Sequence, residues 1–375
     1  MRAQHRFLKL SPALAAAVII ATLIAPTASA AQARLRFGTD WDGMRIGSNC
    51  VRGMGAVPDS TVRLVWKSAS GALKVRTEIA ASPGSGYWSY CSDTAAIAIG
   101  DVLKVSDELG SRSFTMPNVT LVADRVHDNF RGKGPANSTG ELCYHAGLFA
   151  DYYACVEITS DDSGSWFARP EELGDLIGGI DADVTVQSAK GDWMSAHTTA
   201  AWIEVTLGRS RFAGGTTPFR TNKASVRDAD TDIIMGRGTA VSDDYGSFSG
   251  EFLDAEGNQV RVAAGDRIRS NIASDADWIV PNIEGTADVA TDFVNGRCFD
   301  TGVSADEAWV TVYRVGGGFR GFSFAYVQED GSFEIDFSQP DDFMFDHANI
   351  KHGDRVSIRC LQTTGDVVHL LFRVP

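Results

Sequence analysis

Apolar and polar residues alternate with a period of two along most of the chain beyond its first thirty residues. The alternation is clear over residues 61–66, 309–313 and 322–326. A period of two puts successive side chains on opposite faces of a strand, one against a core and one in water. Residues 256–258 and 329–331 carry glycine, asparagine or aspartate, which tolerate a left-handed backbone. The pattern predicts many short strands joined by tight turns.

Three sequence markers recur along the chain with a period of about 80 residues. The first is a turn glycine with an aromatic residue two positions later, at Gly86-Tyr87-Trp88, Gly164-Ser165-Trp166, Gly246-Ser247-Phe248 and Gly331-Ser332-Phe333. The second is Gly-Asp before alternating apolar residues, at Gly100-Asp101, Gly265-Asp266 and Gly353-Asp354, with Ala182-Asp183 as its second copy. The third is an opening apolar-x-Gly, at Val51-Arg52-Gly53, Phe130-Arg131-Gly132, Phe212-Ala213-Gly214 and Val294-Asn295-Gly296. The markers agree on four units.

The third unit has two possible opening markers. Residues 234–238 (Ile-Met-Gly-Arg-Gly) resemble the marker better than Phe212-Ala213-Gly214 does. They lie only about ten residues before Gly246, however, which is too close for the repeat. We therefore expect the unit to open at Phe212.

The chain resembles the bacterial Ig-like domains that occur in tandem in secreted and cell-surface proteins. The resemblance lies in the apolar-x-Gly opening, the alternating strand, the Asp-Gly-Ser-Phe turn at 330–333 and the Gly-Asp strand at 353–358. It implies an all-β chain of four tandem Ig-like β-sandwich domains, each with about seven short strands. The expected boundaries are 31–116, 117–199, 200–280 and 281–375.

Residues 1–30 have the features of a secretory signal peptide. Arg2, Arg6 and Lys9 precede an apolar run that ends at Ala28-Ser29-Ala30, so we expect cleavage after Ala30, or else after Ala33. An uncleaved anchor is the alternative, although the run is short for a membrane span. No later stretch is apolar enough to span a membrane, which predicts a secreted or surface-associated chain. The formal net charge of -14 argues against a nucleic-acid partner.

An even number of cysteines after an export signal indicates disulfides. Two fall in each of the first, second and fourth units, which predicts pairing within units: Cys50 with Cys91, Cys143 with Cys155, and Cys298 with Cys360. By the Ig resemblance, the last pair would join the two sheets of its sandwich. Buried free thiols are the alternative.

Asp228, Asp230 and Asp232 have the spacing that opens a calcium-binding loop. The sixth position of that loop should be glycine and the twelfth glutamate, but Ile233 and Thr239 stand there. A solvated acidic turn explains the three carboxylates as well as calcium does. We expect no other cofactor.

The sequence contains no recognisable catalytic group. Ser323 lies in the middle of an alternating strand and not in a nucleophile elbow, and the histidines lack the spacing of metal ligands. The aromatic residues that repeat with the unit should be core. The unrepeated ones could stack on sugars or simply pack at boundaries: Trp41, Tyr152, Tyr153, Trp193, Trp202 and Trp278.

The segment between the aromatic turn and the Gly-Asp marker is longest in the fourth unit. There Phe343, Met344, Phe345 and Asp346 place apolar side chains among acids. Insertions in a repeated scaffold concentrate where function or tolerance allows. These residues are the predicted binding loop of a non-enzymatic binding, adhesion or spacer protein, with an unknown protein or polysaccharide as ligand. The alternative is a carbohydrate-binding or carbohydrate-active secreted protein, since a glycosidase needs an acid pair that sequence cannot place.

Overall fold

The computed structural model describes residues 35–39, 42–145, 153–169, 176–298, 305–338 and 349–375. Within these residues the protein is built from β-strands and contains no helix. The long alternating segments of the sequence form strands, as their period predicted.

Residues 36–115 contain the first eight strands, which are β1 Arg36–Phe37, β2 Met44–Arg45, β3 Cys50–Met54, β4 Thr61–Lys67, β5 Leu73–Ala80, β6 Trp88–Cys91, β7 Val102–Asp107 and β8 Gly110–Thr115. Three of them form a sheet in the order β1-β3-β6, and four form a second sheet in the order β5-β4-β7-β8. Both sheets are antiparallel.

Residues 120–199 contain the next seven strands, which are β9 Thr120–Asp124, β10 Asn129–Lys133, β11 Thr139–His145, β12 Tyr153–Thr159, β13 Ser165–Ala168, β14 Asp181–Gln187 and β15 Trp193–Thr199. The sheet order β13-β10-β9 repeats the three-stranded arrangement of the preceding segment. The order β12-β11-β14-β15 repeats its four-stranded arrangement, and β2 is added at the edge beside β15.

Residues 202–279 contain β16 Trp202–Thr206, β17 Arg211–Gly215, β18 Thr221–Arg227, β19 Ile234–Val241, β20 Ser247–Glu251, β21 Arg267–Ser270 and β22 Asp277–Ile279. Residues 284–373 contain β23 Glu284–Asp288, β24 Phe293–Arg297, β25 Ala305–Tyr313, β26 Phe319–Tyr326, β27 Ser332–Asp336, β28 Arg355–Gln362 and β29 Val367–Arg373. Three-stranded and four-stranded sets recur here as β20-β17-β16, β19-β18-β21-β22, β23-β24-β27 and β29-β28-β25-β26. The first and last of these sets join into one seven-stranded sheet.

The buried apolar residues form two clusters. One runs from Leu35 to Ala200 and the other from Ala201 to Val374. Each cluster lies among two successive three-stranded and four-stranded sets. Apolar packing therefore continues across neighbouring sets within each half of the chain.

The glycine of the opening marker and the aromatic residue of the turn marker face each other across two antiparallel strands. The pairs are Gly53 with Trp88, Gly132 with Trp166, Gly214 with Phe248, and Gly296 with Phe333. A Cβ added at any of these glycines would collide with the facing ring and with a backbone carbonyl oxygen. The two markers therefore recur together because the ring occupies the space that a side chain would need. The third unit follows this rule at Gly214, which supports the choice of Phe212 as its opening.

The aspartate of the Gly-Asp marker closes a turn. Asp101, Asp266 and Asp354 each accept a hydrogen bond from the backbone N–H three residues earlier, at 2.9, 2.7 and 2.9 Å. Asp101 also accepts the indole N–H of Trp66 at 2.8 Å. The marker is therefore a capped turn at the start of a core strand.

The structure places the second copy of this marker at Gly179-Ile180, so the prediction of Ala182-Asp183 is wrong. The N–H of Gly100 donates to the carbonyl of Met116 at 2.8 Å, and the N–H of Gly179 donates in the same way to Ala200 at 2.8 Å. Gly179-Ile180 is therefore the equivalent of Gly100-Asp101, and Ala182-Asp183 lies inside β14. Ile180 is buried and replaces the carboxylate with an apolar side chain, which removed the signal from the sequence.

All three disulfides join the predicted pairs. Cys50 and Cys91 face each other on β3 and β6, and Cys143 and Cys155 on β11 and β12. Cys298 follows β24 and is bonded to Cys360 on β28, so this bridge connects two sheets.

We predict that Gly132→Ala destabilises the protein by roughly 1–3 kcal/mol, because the new methyl group must displace the Trp166 ring or the β9 backbone. Urea unfolding followed by tryptophan fluorescence measures this. Gly110→Ala is the control, since a Cβ there meets nothing within 4 Å, and it should change stability by less than about 0.5 kcal/mol. Equal effects of the two substitutions would contradict the steric explanation.

Candidate functional site at the seams between sheets

Two parallel strand pairs join neighbouring units, and we call each of these junctions a seam. In the N-terminal seam, β2 lies parallel to β15, with Met44 opposite Met194. In the C-terminal seam, β16 lies parallel to β29, with Thr206 opposite His369. Each seam pairs a strand of one unit with the last strand of the following unit, and so extends a sheet across the boundary between units.

A buried aspartate stands at the N-terminal seam. Asp192 lies in the tight turn between β14 and β15 and is 2% exposed. It accepts a hydrogen bond from the backbone N–H of Phe37 at 3.1 Å and one from the Arg112 guanidinium at 2.7 Å. A single carboxylate thus binds β1 and β8, the first and last strands of residues 36–115.

The C-terminal seam repeats this arrangement with different residues. Asp366 lies in the turn between β28 and β29 and is fully buried. It accepts the backbone N–H of Ile203 at 2.9 Å and the Thr364 hydroxyl at 3.0 Å. The guanidinium of Arg125 donates to both of its oxygens, at 3.1 and 3.0 Å. A bidentate pair of this kind fixes both distance and orientation.

Arg125 connects the first half of the chain to the second. Besides Asp366, its guanidinium donates to the carbonyl oxygens of Ala201 at 2.7 Å and Thr364 at 3.0 Å, and to the Asp275 carboxylate at 3.1 Å. Burial alone would lower the pKa of Arg125, but the charges of Asp366 and Asp275 outweigh that effect and raise the pKa. The cation therefore stays charged where three parts of the chain meet.

A hydrogen-bonded chain of polar side chains crosses the C-terminal seam. The Glu204 carboxylate lies 3.1 Å from Nδ1 of His369, and Nε2 of His369 lies 2.8 Å from the Ser357 hydroxyl. Arg359 donates to Glu204 at 2.9 Å. Burial tends to raise the pKa of Glu204, but the hydrogen bond from His369 and the charge of Arg359 hold that pKa below its ordinary value. Glu204 is therefore an anion at neutral pH.

This acid–imidazole–hydroxyl order is also that of serine hydrolases. The Ser357 hydroxyl does not suit that chemistry, because the residue is 2% exposed and lies inside β28 between the core residues Val356 and Ile358. A nucleophilic serine needs access to substrate and donors for the developing oxyanion. The chain of hydrogen bonds joins β16, β29 and β28, which is a structural role.

The predicted binding residues Phe343, Met344, Phe345 and Asp346 lie outside the described residues, as do Trp41 and Tyr152. Trp193, Trp202 and Trp278 are half-buried. The repeating Trp88, Trp166, Phe248 and Phe333 are buried, as the repeat predicted.

The acidic cluster Asp228, Asp230 and Asp232 forms the turn between β18 and β19. Asp228 accepts hydrogen bonds from the backbone and hydroxyl of Thr231 at 2.8 and 2.7 Å, which lower its pKa. Asp232 pairs with Arg227 at 3.1 Å. Two of the three carboxylates thus make hydrogen bonds or ion pairs within or beside the turn. Calcium at this position stays a prediction.

Among the described residues, one group of side chains is close enough to share a metal ion: Glu141, Cys143 and Cys155. Its two sulfur atoms are bonded to each other as a disulfide and offer no thiolate. The group is therefore no metal centre in the oxidised protein.

Sequence reasoning missed the residues of both seams. Asp366 and Ile203 are 163 positions apart in the chain, and Asp366 and Arg125 are 241 apart. A signal did exist, since Gly191-Asp192 and Gly365-Asp366 are both Gly-Asp pairs in the turn before a unit's last strand. The Gly-Asp pair is absent from the corresponding turns of the first and third units, which precede β8 and β22.

No protein-family model matches this chain, and no curated protein sequence matches it significantly. Several solved structures align with it. A tetra-tandem repeat from the extending region of a large adhesion protein is 15% identical, with 91% of this chain and 98% of that chain covered and a TM-score of 0.18. A domain structure from a 1.5-MDa bacterial ice-binding adhesin is 12% identical over 68% of this chain and 95% of that chain, with a TM-score of 0.17.

The alpha-2-macroglobulin of Escherichia coli is 10% identical over 91% of this chain and 28% of that chain, with a TM-score of 0.17. Identities and TM-scores this low establish neither a family nor a function. Among the described residues, no helix is long and apolar enough to cross a membrane.

We predict that Asp366→Asn weakens the C-terminal seam by about 3–5 kcal/mol, because it leaves the buried Arg125 cation without its main counter-charge. Hydrogen exchange at the β16 amides, read by mass spectrometry, should accelerate. The double variant Arg125→Gln with Asp366→Asn should lose less than the sum of the single losses. Additive losses would show that the pair is not coupled.

The seam should also respond to pH through Glu204. The folded-state pKa of Glu204 lies below its ordinary value of 4.5, so its charge contributes stability above that value, and the contribution is lost as pH falls through the folded pKa. We expect Glu204→Gln to lower the melting temperature at pH 7 and to differ less from the original chain at pH 3. A difference independent of pH would contradict this assignment.

Proposed function

We propose that the chain is a secreted, non-enzymatic array of four Ig-like β-sandwich domains that acts as a binding, adhesion or spacer module at a bacterial cell envelope. The proposed domains are residues 31–116, 117–199, 200–280 and 281–375, after a signal peptide over 1–30. Each would pair one three-stranded set with one four-stranded set. Such a pairing has the seven strands of an Ig-like sandwich.

The observation that carries the proposal is the repeated construction of the two seams. In both, a buried aspartate in the turn before a unit's last strand binds an arginine and the backbone of the first strand of the preceding unit. Flexible tethers between domains would leave such groups in solvent. Contacts of this kind suit a protein that must hold a fixed distance or present a surface in a fixed direction.

Three disulfides are consistent with folding in an oxidising compartment outside the cytoplasm. The net charge of -14 makes a nucleic acid an unfavourable partner. An unknown protein or a polysaccharide at the cell surface is the proposed ligand.

A second candidate function is carbohydrate binding. It is favoured by Trp202, a half-buried and unrepeated aromatic residue that lines a groove at the C-terminal seam. Tryptophan rings offer the flat apolar face on which sugar rings stack.

Small-angle X-ray scattering of the mature chain tests the spacer role. We expect scattering typical of a rigid particle, and a larger and more variable radius of gyration for Asp192→Asn, because that substitution removes the charge at the N-terminal seam. Asp93→Asn removes an exposed carboxylate from the same half and serves as control. Flexible scattering from the unaltered chain would refute a rigid spacer.

A further inference from the structure

The C-terminal seam creates a surface that neither neighbouring sheet has alone. In the seven-stranded sheet, Phe212, Val205 and Val368 point into the buried core. Their neighbours along the strands, such as Arg211, Glu204 and His369, point to the opposite face because side chains alternate along a strand. This second face runs without interruption from β20 across the seam to β25.

A groove of about 530 Å³ lies on this face. Its floor comes from both sides of the seam, with Trp202, Glu204 and Thr206 on β16 and His369 and Leu371 on β29. Its volume is within the range of clefts that bind small organic ligands. The site exists only while the two strands stay paired.

Four arginines surround the groove, namely Arg209, Arg211, Arg261 and Arg359. Arg359 is neutralised by Glu204 at 2.9 Å, and the other acid of the groove, Glu251, accepts a hydrogen bond from Gln259 at 3.0 Å. Within the described part of the chain, no carboxylate lies within ion-pair distance of the guanidinium groups of Arg209, Arg211 and Arg261, although Glu251 is the strand partner of Arg211. All three are exposed. The groove therefore carries unpaired positive charge on a chain whose net charge is -14.

Aromatic surface accompanies this charge. Trp202 lines the groove beside Gly215, whose missing side chain leaves room for the indole. On β25, Trp309 stands directly opposite Arg359, so a second tryptophan lies further along the same face. Guanidinium groups bind carboxylates in a bidentate manner, and flat aromatic rings pack against the apolar faces of sugars.

We propose that this groove binds an acidic polysaccharide through its sugar carboxylates, with Arg211 and Arg261 as the anion-binding residues and Trp202 as the stacking surface. Sugar carboxylates would pair with the arginines, and a sugar ring would stack on the tryptophan. A polyphosphate chain is a poorer fit, because it offers no sugar ring to pack against the Trp202 indole. The proposal rests on the carbohydrate-binding candidate and names its ligand class, whereas the spacer role does not use this groove.

The test is a binding titration of the full mature chain by calorimetry. Polygalacturonate is the probe, and the same polymer with its carboxylates methyl-esterified is the matched ligand without charge. A double-stranded oligonucleotide is the third arm. We expect saturable binding of polygalacturonate that weakens with added salt, and no measurable binding of the ester or the oligonucleotide.

The variant Arg211→Gln with Arg261→Gln should weaken binding by roughly tenfold or more, since it removes two charge-assisted contacts. Arg76→Gln, an exposed arginine on β5, is the control and should leave affinity unchanged. Melting curves establish that both variants are folded. Absent binding, equal binding of the ester, tighter binding of the oligonucleotide, or an equal loss in Arg76→Gln would each overturn the proposal. None of these outcomes bears on the rigidity measured by scattering.

Discussion

The contact between a glycine and an aromatic ring on the facing strand underlies the whole architecture. At Gly132 and Trp166, as at the three equivalent positions, the ring occupies the volume that a side chain would take. Because the two residues belong to different strands, the contact fixes the register of those strands as well as their spacing. It also buries a large aromatic side chain, carried by an edge strand, against the central strand of each three-stranded set. At the C-terminal seam the edge strand of one such set, β16, is the strand that pairs with β29.

Most of the fold could be predicted from the sequence because its determinants are local. Alternation identifies strands such as β4, and the paired markers at Gly53 and Trp88 identify units. The disulfide pairing followed from the units, since each pair of cysteines lies within one unit. The error at Ala182-Asp183 has a physical cause: Ile180 fills by apolar burial the place that Asp101 fills by hydrogen bonding, so the equivalent position has no aspartate to mark it.

The candidate site could not be predicted in the same way. The sequence pattern does not reveal the parallel pairing of β16 with β29. The two strands are far apart in the chain, and each alternates between apolar and polar residues as any edge strand does. In the sequence, Arg125 follows a strand, a position where an arginine is usually exposed. Only the folded chain shows it buried among Asp366, Asp275 and two carbonyl groups. Similarly, the Arg211 side of the groove and its His369 side belong to different sheet sets. Tertiary arrangement, not residue type, makes them a site.

The parallel pairing of β16 also constrains how the protein folds. Its partner strand is 163 residues further along the chain, whereas its antiparallel partner β17 follows immediately. Contacts this distant form late, because a long loop must close before they can contribute. One edge of β16 therefore stays open while the intervening 160 or so residues fold, and open strand edges are sites of mispairing between chains. The charged side chains of Glu204 and Arg211, on and beside that edge, would oppose such mispairing until β29 arrives.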